Sequence, residues 1–287
     1  MTPSFQVNKT EAPLRSSEKT ARCLSSADRG ALESQILAMT EESGRVIGEY
    51  RTPAGFFGRA MAVPVVVADE MRAAKSWKEG CPVSIEDLNY LALSHWGFDG
   101  RPRAGELVVH KELALTTLRI FSDLFADLFP IERMERIEKY DGDDDLSMAA
   151  NNTSAFNCRE ITGKPGFWSK HSCGMAIDVN PLQNPYIAPN PFVLQAMGWD
   201  GSEEKATFLR RSGYDGPSPA LTFCTLRPED CIVLPPAAAA RRIRSRDMPG
   251  MLLPESSAVR AFTERGFDWG GAWQRLLDYH HFEYVGG

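Results

Sequence analysis

The chain has 287 residues, 43% of them hydrophobic and 24% charged, which suits one large folded domain or one domain with an appendage. Its net charge of −6 argues against a sequence-independent nucleic-acid binder, which needs clustered Lys and Arg to neutralise phosphates. No window reaches the roughly 18 apolar residues of a membrane span.

Taken in chain order, residues 1–75 read as a polar, partly disordered extension of unknown role, without the apolar core of a secretory signal. They include one helical pattern, "GALESQILAMTEESGRVI", and one apolar stretch, "MAVPVVVADEM". Ser84 and Asp87 have capping-box spacing ahead of Leu88, Leu91 and Leu93. "GELVVHKELALTTLRIFSDLFADLFP" predicts a short strand and then a core helix, with Leu118, Phe121, Leu124, Phe125 and Leu128 at three- and four-residue steps. "IERMERIEKY" suits a strand leading into the acidic turn "DGDDDLSM". Leu146 stands there where a calcium loop needs glycine, so an EF-hand is rejected. Residues from about 188 to 231 are rich in turn formers and charge and read as an insertion. The short basic run Arg241, Arg242, Arg244 and Arg246 reads as a solvated face. Of the six cysteines, none forms a CxxC; Cys224 and Cys231 are close enough to pair, and their redox state stays open.

The chemistry concentrates in two stretches. In "FWSKHSCGMAIDVNP", a strand through "MAIDVN" puts Ala176, Asp178 and Asn180 on one face and Ile177 and Val179 on the other. Gly174 permits a tight turn that brings His171 over the face of Asp178. Such a pair alone is weak and reads more readily as an unrelated loop histidine and strand-edge aspartate. The chain end, "DYHHFEY", read as a strand from Tyr279, aligns Tyr279, His281 and Glu283. His280 and Phe282 then turn to the other side, towards the core. His171, Asp178 and His281 together leave one position open on a tetrahedral zinc, the arrangement of a catalytic site. Asp278 is near enough to act as general base on a water at that position.

These residues carry a resemblance. Ser169, His171, Gly174, Ala176 and Asp178 match the S-x-H-x-x-G-x-A-x-D signature of the zinc D-alanyl-D-alanine carboxypeptidases and L-alanyl-D-glutamate peptidases, the VanY-like enzymes and related phage endolysins. "FDWGGAWQRLLDYHHFEY" resembles that family's W-G-G-x-W segment followed by D-x-x-H-F, and the likeness runs from about Cys81 to the C-terminus.

The resemblance implies an α+β fold, with a small antiparallel sheet carrying one zinc ion on one face and helices on the other, over residues 76–287. It implies His171, Asp178 and His281 as ligands and Asp278 as catalytic acid/base. Arg159 would meet the substrate carbonyl or oxyanion, and Ser169 and Trp273 would contact substrate, although turn-shaping and packing are equally open to them. The implied substrates are peptidoglycan stem peptides with a D-residue at or next to the cleaved bond, handled by a monomer in the cell envelope or outside the cell. The competing expectation is an inactive wall-binding or signalling module of the same fold.

Overall fold

The computed structural model describes residues 24–41, 45–161 and 164–286; Cys23 and most of the polar N-terminal stretch lie outside them. Helix α1 (Ser26–Ala38) is capped by Ser25, whose side chain accepts from the Asp28 backbone. Strands β1 (Val46–Arg51) and β2 (Phe57–Ala62), helix α2 (Val65–Ala73), and strands β3 (Leu88–Trp96) and β4 (Pro102–His110) follow. The four strands form one antiparallel sheet in chain order.

The boundary expected near residue 75 does not divide this sheet. β2 pairs with β3 across it, from Gly58 opposite Leu93 to Ala62 opposite Asn89. The Ser84–Asp87 capping box forms, but it closes only the 3-10 turn Ile85–Asp87 before a strand begins. β3 is buried along its whole length because both faces are covered. Leu91 and Leu93 meet the large core, whereas Leu88, Tyr90 and Ala92 pack with Ile36 of α1 and Met71 of α2. A strand covered on both sides reads as a continuous apolar run, which hides its period from the sequence.

Helix α3 (Ala114–Ala126) fills the large core with Leu118, Ile120, Phe121, Leu124 and Phe125, each worth roughly 1.5–3 kcal/mol of burial. The strand expected over 131–140 shrinks to β5 (Arg133–Met134), followed by the 3-10 turn Ile137–Tyr140. Helix α4 (Asp144–Ala149) begins at Asp143, which caps it through Leu146 N, so these acids start a helix. β6 (Asn152–Thr153) pairs in parallel with β5. β7 (Glu160–Ile161) and β8 (Lys164–Trp168) pair antiparallel, and both are exposed.

β9 (Ala176–Asp178) precedes β10 (Tyr186–Pro189), helices α5 (Pro191–Ala196), α6 (Lys205–Arg211) and α7 (Pro219–Leu226), and β11 (Cys231–Leu234). The presumed insertion is thus a helical excursion between two paired strands, since β10 pairs with β11, and Cys224–Cys231 is a disulfide. A second disulfide joins Cys81 to Cys158. Helix α8 (Ser257–Thr263), β12 (Phe267–Trp269), β13 (Leu277–Asp278) and β14 (His281–Tyr284) complete the chain. The small sheets are β11-β10-β13 and β12-β14-β9, all antiparallel. The fold is therefore α+β, with several small antiparallel sheets. No helix among the described residues is long and apolar enough to cross a membrane.

One buried cation fastens α2 and β4 to the 3-10 turn Ile137–Tyr140. Arg136 is 7% exposed and contacts Glu70 of α2 at 2.5 Å, Glu106 of β4 at 3.0 Å and Glu138 at 3.2 Å. Burial opposes its charge, yet the three carboxylates hold it protonated above the ordinary arginine range. Replacing only the cation leaves the carboxylates together and uncompensated. Arg136→Ala is expected to lower unfolding free energy by about 3–5 kcal/mol in urea titrations; a loss below about 1 kcal/mol would show that the network contributes no net stability.

Candidate metal centre

The register of one strand pair creates the site. β9 and β14 run antiparallel with His281 opposite Asp178, Phe282 opposite Ile177 and Glu283 opposite Ala176. Alternation sends Ile177 and Phe282 into the core, where Phe282 stacks on Phe262 of α8 at 3.9 Å between ring centroids. Asp178 and His281 consequently share the opposite face, and His281 Nδ1 lies 2.9 Å from Asp178 Oδ1.

The third member arrives from a tight turn. Ser169 caps the 3-10 turn Lys170–Cys173, its hydroxyl accepting from His171 N, and Gly174 reverses the chain at φ +66°. A Cβ at Gly174 would come within 2.5 Å of His110 N, so only glycine fits there. His171 Nε2 then lies 3.2 Å from Asp178 Oδ2 and 3.2 Å from His281 Nδ1. One ligand atom from each of His171, Asp178 and His281 falls within 4.8 Å of the others, and all three residues are buried. Among the described residues this is the one group of three or more His, Cys, Asp or Glu side chains so arranged.

The surroundings fix which atoms face the centre. His171 Nδ1 donates to Ala155 O, leaving Nε2 for a cation. His281 presents its Nε2 to Glu283 at 3.3 Å and its Nδ1 to Asp178. A carbonyl behind one imidazole and a carboxylate behind the other are the outer partners that orient metal-binding histidines. Two imidazoles and a carboxylate suit zinc and the later first-row transition metals better than magnesium or calcium.

The electrostatics favour a cation here as well. Burial pushes the Asp178 carboxyl up, but the His171 and His280 imidazoles beside it win and hold it well below the usual carboxylate range. Burial depresses His281, yet hydrogen bonds to Asp178 and Glu283 outweigh it and raise the imidazole to about 10. Without a metal, protons supply the positive charge that the buried carboxylate requires.

The other sequence candidates fall at varied distances from this centre. Asp278, on β13, faces Tyr186 of β10 and has its Oδ1 3.0 Å from His280 Nε2. Trp273 packs against the His281 ring at 5.6 Å between centroids and donates to Asp268 Oδ2. The Ser169 hydroxyl is buried and engaged in the turn. Arg159 is paired with Asp144 at 2.7 Å and, among the described residues, makes no side-chain contact with the three clustered groups.

Two residues differ from expectation. The terminal strand does not run through Tyr279 and His280: β13 ends at Asp278, and β14 begins in a different sheet at His281. At this corner His280 is not turned away. It is buried beside the site, 4.0 Å from Asp178 Oδ2 and 3.0 Å from Asp278 Oδ1. Arg244 is likewise not solvated: its guanidinium donates to Gln183 O, Asn184 Oδ1 and Leu252 O, and lies 4.2 Å over the Tyr279 ring. Glu283 was legible as a neighbour of His281, since alternation puts the two on one face.

Residues 162–284 match the family model described as D-alanyl-D-alanine carboxypeptidase, the family that the two sequence motifs resemble. The match takes in His171, Asp178, Asp278 and His281 and leaves Arg159 outside. It supports a metallopeptidase of this type at the level of the family. Searches of curated proteins and of solved structures found no match.

The geometry makes a direct prediction about metal binding. The protein is expected to take up one divalent transition-metal ion, measured by calorimetry. Affinity should fall as pH is lowered, because proton and cation compete for the same imidazole nitrogens. His171→Ala or Asp178→Ala should weaken binding at least about 100-fold; unchanged affinity in either variant would show that the ion binds elsewhere.

Proposed function

We propose that this protein is a zinc peptidase that hydrolyses peptidoglycan stem-peptide bonds involving D-amino acids. It would act as a D,D-carboxypeptidase or as an endopeptidase at an L,D-type bond. The observation that carries this reading is the buried convergence of His171, Asp178 and His281, with the carboxylate of Asp278 one imidazole away. The family match over the same residues supports the peptidase class.

His171, Asp178 and His281 would hold one zinc ion, three protein donors being the number found in catalytic rather than closed structural zinc sites. Zinc held there supplies Lewis acidity towards the scissile carbonyl and lowers the pKa of water towards about 7. Asp278 takes the proton of the attacking water and delivers it to the departing amine nitrogen as the carbon–nitrogen bond breaks. His281 and His171 are kept in register by Glu283 and Ala155 O, so the donor atoms need no reorientation on binding. Trp273, half-buried against the His281 ring, forms a wall on which a peptide can lie. Arg159 would stabilise the developing oxyanion only by exchanging Asp144 for the substrate. Ser169 serves the turn that carries His171.

The catalytic unit in this reading spans residues 76–287, with the helical excursion between about 188 and 231 shaping one side of the cleft. Residues 24–75 support it by completing the four-stranded sheet. The two disulfides agree with an oxidising setting such as the cell envelope or the extracellular space.

The test is incubation of the zinc-loaded chain with a synthetic stem pentapeptide and mass analysis of products. Loss of the terminal D-alanine identifies a carboxypeptidase, and an internal cut identifies an endopeptidase. Asp278→Ala is expected to reduce kcat about 10²–10⁴-fold while zinc stays near one per chain. Hydrolysis by that variant at the wild-type rate would remove Asp278 as general base. No cleavage by the wild type would favour the wall-binding alternative.

A further inference from the structure

We propose that His280 is a positioning residue for the catalytic carboxylate, clamped between the Asn184 carbonyl and Asp278. The inference rests on the peptidase reading above and concerns a residue that strand alternation would have placed in the core.

The first observation is that both ring nitrogens of His280 are committed. Nδ1 lies 2.7 Å from Asn184 O, and a carbonyl only accepts, so Nδ1 carries its hydrogen there. The ring orientation is thereby fixed, and Nε2 faces Asp278 Oδ1 at 3.0 Å. That carboxylate oxygen is buried and has no hydrogen bond of proper geometry, so the imidazole edge is the polar group it meets. The imidazole edge covers Oδ1 and fixes the rotation of the carboxylate. It also leaves the second oxygen of Asp278 as the one able to receive a proton from water.

The second observation is that the clamp has a rigid base. Asn184 is fully buried, and its side-chain amide donates to the Val179, Asn180 and Gly250 carbonyls. Its Oδ1 accepts from Leu252 N and from Arg244 Nη2, each at 2.7 Å. Among the described residues Arg244 has no carboxylate partner and lies instead on Tyr279, the residue preceding His280. A partly buried guanidinium held, among the described residues, by carbonyls, an amide and an aromatic face loses hydration, and that desolvation lowers its pKa to about 10. That cost is understandable where it fixes a loop against the site. Gly270 adds a second constraint, because a Cβ there would come within 2.6 Å of Asp278 O and 2.8 Å of Asp278 Cβ. The Asp278 carboxylate is thus held from its backbone by the glycine and from its oxygen by His280.

A positioning role makes kcat fall without changing metal occupancy or ground-state binding. With the stem pentapeptide as substrate, His280→Ala is expected to lower kcat about 10–100-fold, with KM within about twofold and one zinc per chain retained. His280→Gln, whose amide can still donate towards Asp278, should recover much of the loss. Wild-type kcat in His280→Ala overturns the proposal, as does a fall in zinc content that parallels the fall in activity. A glutamine variant no better than alanine overturns it too. Should the alanine variant not fold, the comparison of His280→Gln with His280→Leu reads the same effect. Asp278→Ala and the wild type run alongside: an inactive wild type or an active Asp278→Ala would defeat the peptidase reading. A wild-type-like His280→Ala beside an inactive Asp278→Ala defeats this inference alone.

Discussion

Everything at the site depends on one buried carboxylate. Asp178 is 3% exposed in the middle of an antiparallel pair, with the imidazoles of His171 and His281 about 3 Å from its oxygens. An isolated charge at that depth is prohibitive, so the structure must keep positive charge against it. The raised pKa of His281 answers that need with a proton, and a cation between the three side chains would answer it too. The same requirement explains why outer partners surround the cluster. Ala155 O and Glu283 face the distal nitrogens of the two imidazoles, and Ser154 brackets Asp178 through paired backbone hydrogen bonds of 3.0 and 2.8 Å.

The rest of the fold serves to hold two short strands in register. β9 and β14 contribute only seven residues between them, too few to be stable alone. Their inward side chains, Ile177 and Phe282, enter the core that α3 and α8 build, and that core continues onto the four-stranded sheet. The N-terminal strands thus bear on the site from a distance by completing the sheet under α3. The excursion through α5, α6 and α7 closes on β10 by pairing with β11, and β10 also carries the strand that presents Asp278.

The convergence of His171, Asp178 and His281 was largely legible in the sequence because its geometry follows from local rules. A glycine turn before a three-residue strand and a histidine one strand over are both visible as spacing. The misread positions share a physical cause: they depend on where the chain changes sheets. "DYHHFEY" looks like one alternating strand, yet the chain turns a corner at Tyr279 and His280, which reverses the side on which His280 lies. Similarly, Leu88–Trp96 showed no strand period because it is covered on both faces, and the Arg241–Arg246 run hid one inward-facing member whose partners lie some 60 residues away. Residues 1–75 looked separable for want of motifs, but pairing between β2 and β3 is long-range and leaves no local signature.

X-ray absorption at the zinc edge, on the chain loaded with one equivalent of zinc, tests most directly whether the three side chains share a cation. The account predicts a first shell of nitrogen and oxygen only, at about 2.0–2.1 Å, with the outer scattering of two imidazoles. A sulfur scatterer at about 2.3 Å, or a shell with a single imidazole, would contradict it and assign the ion to other side chains.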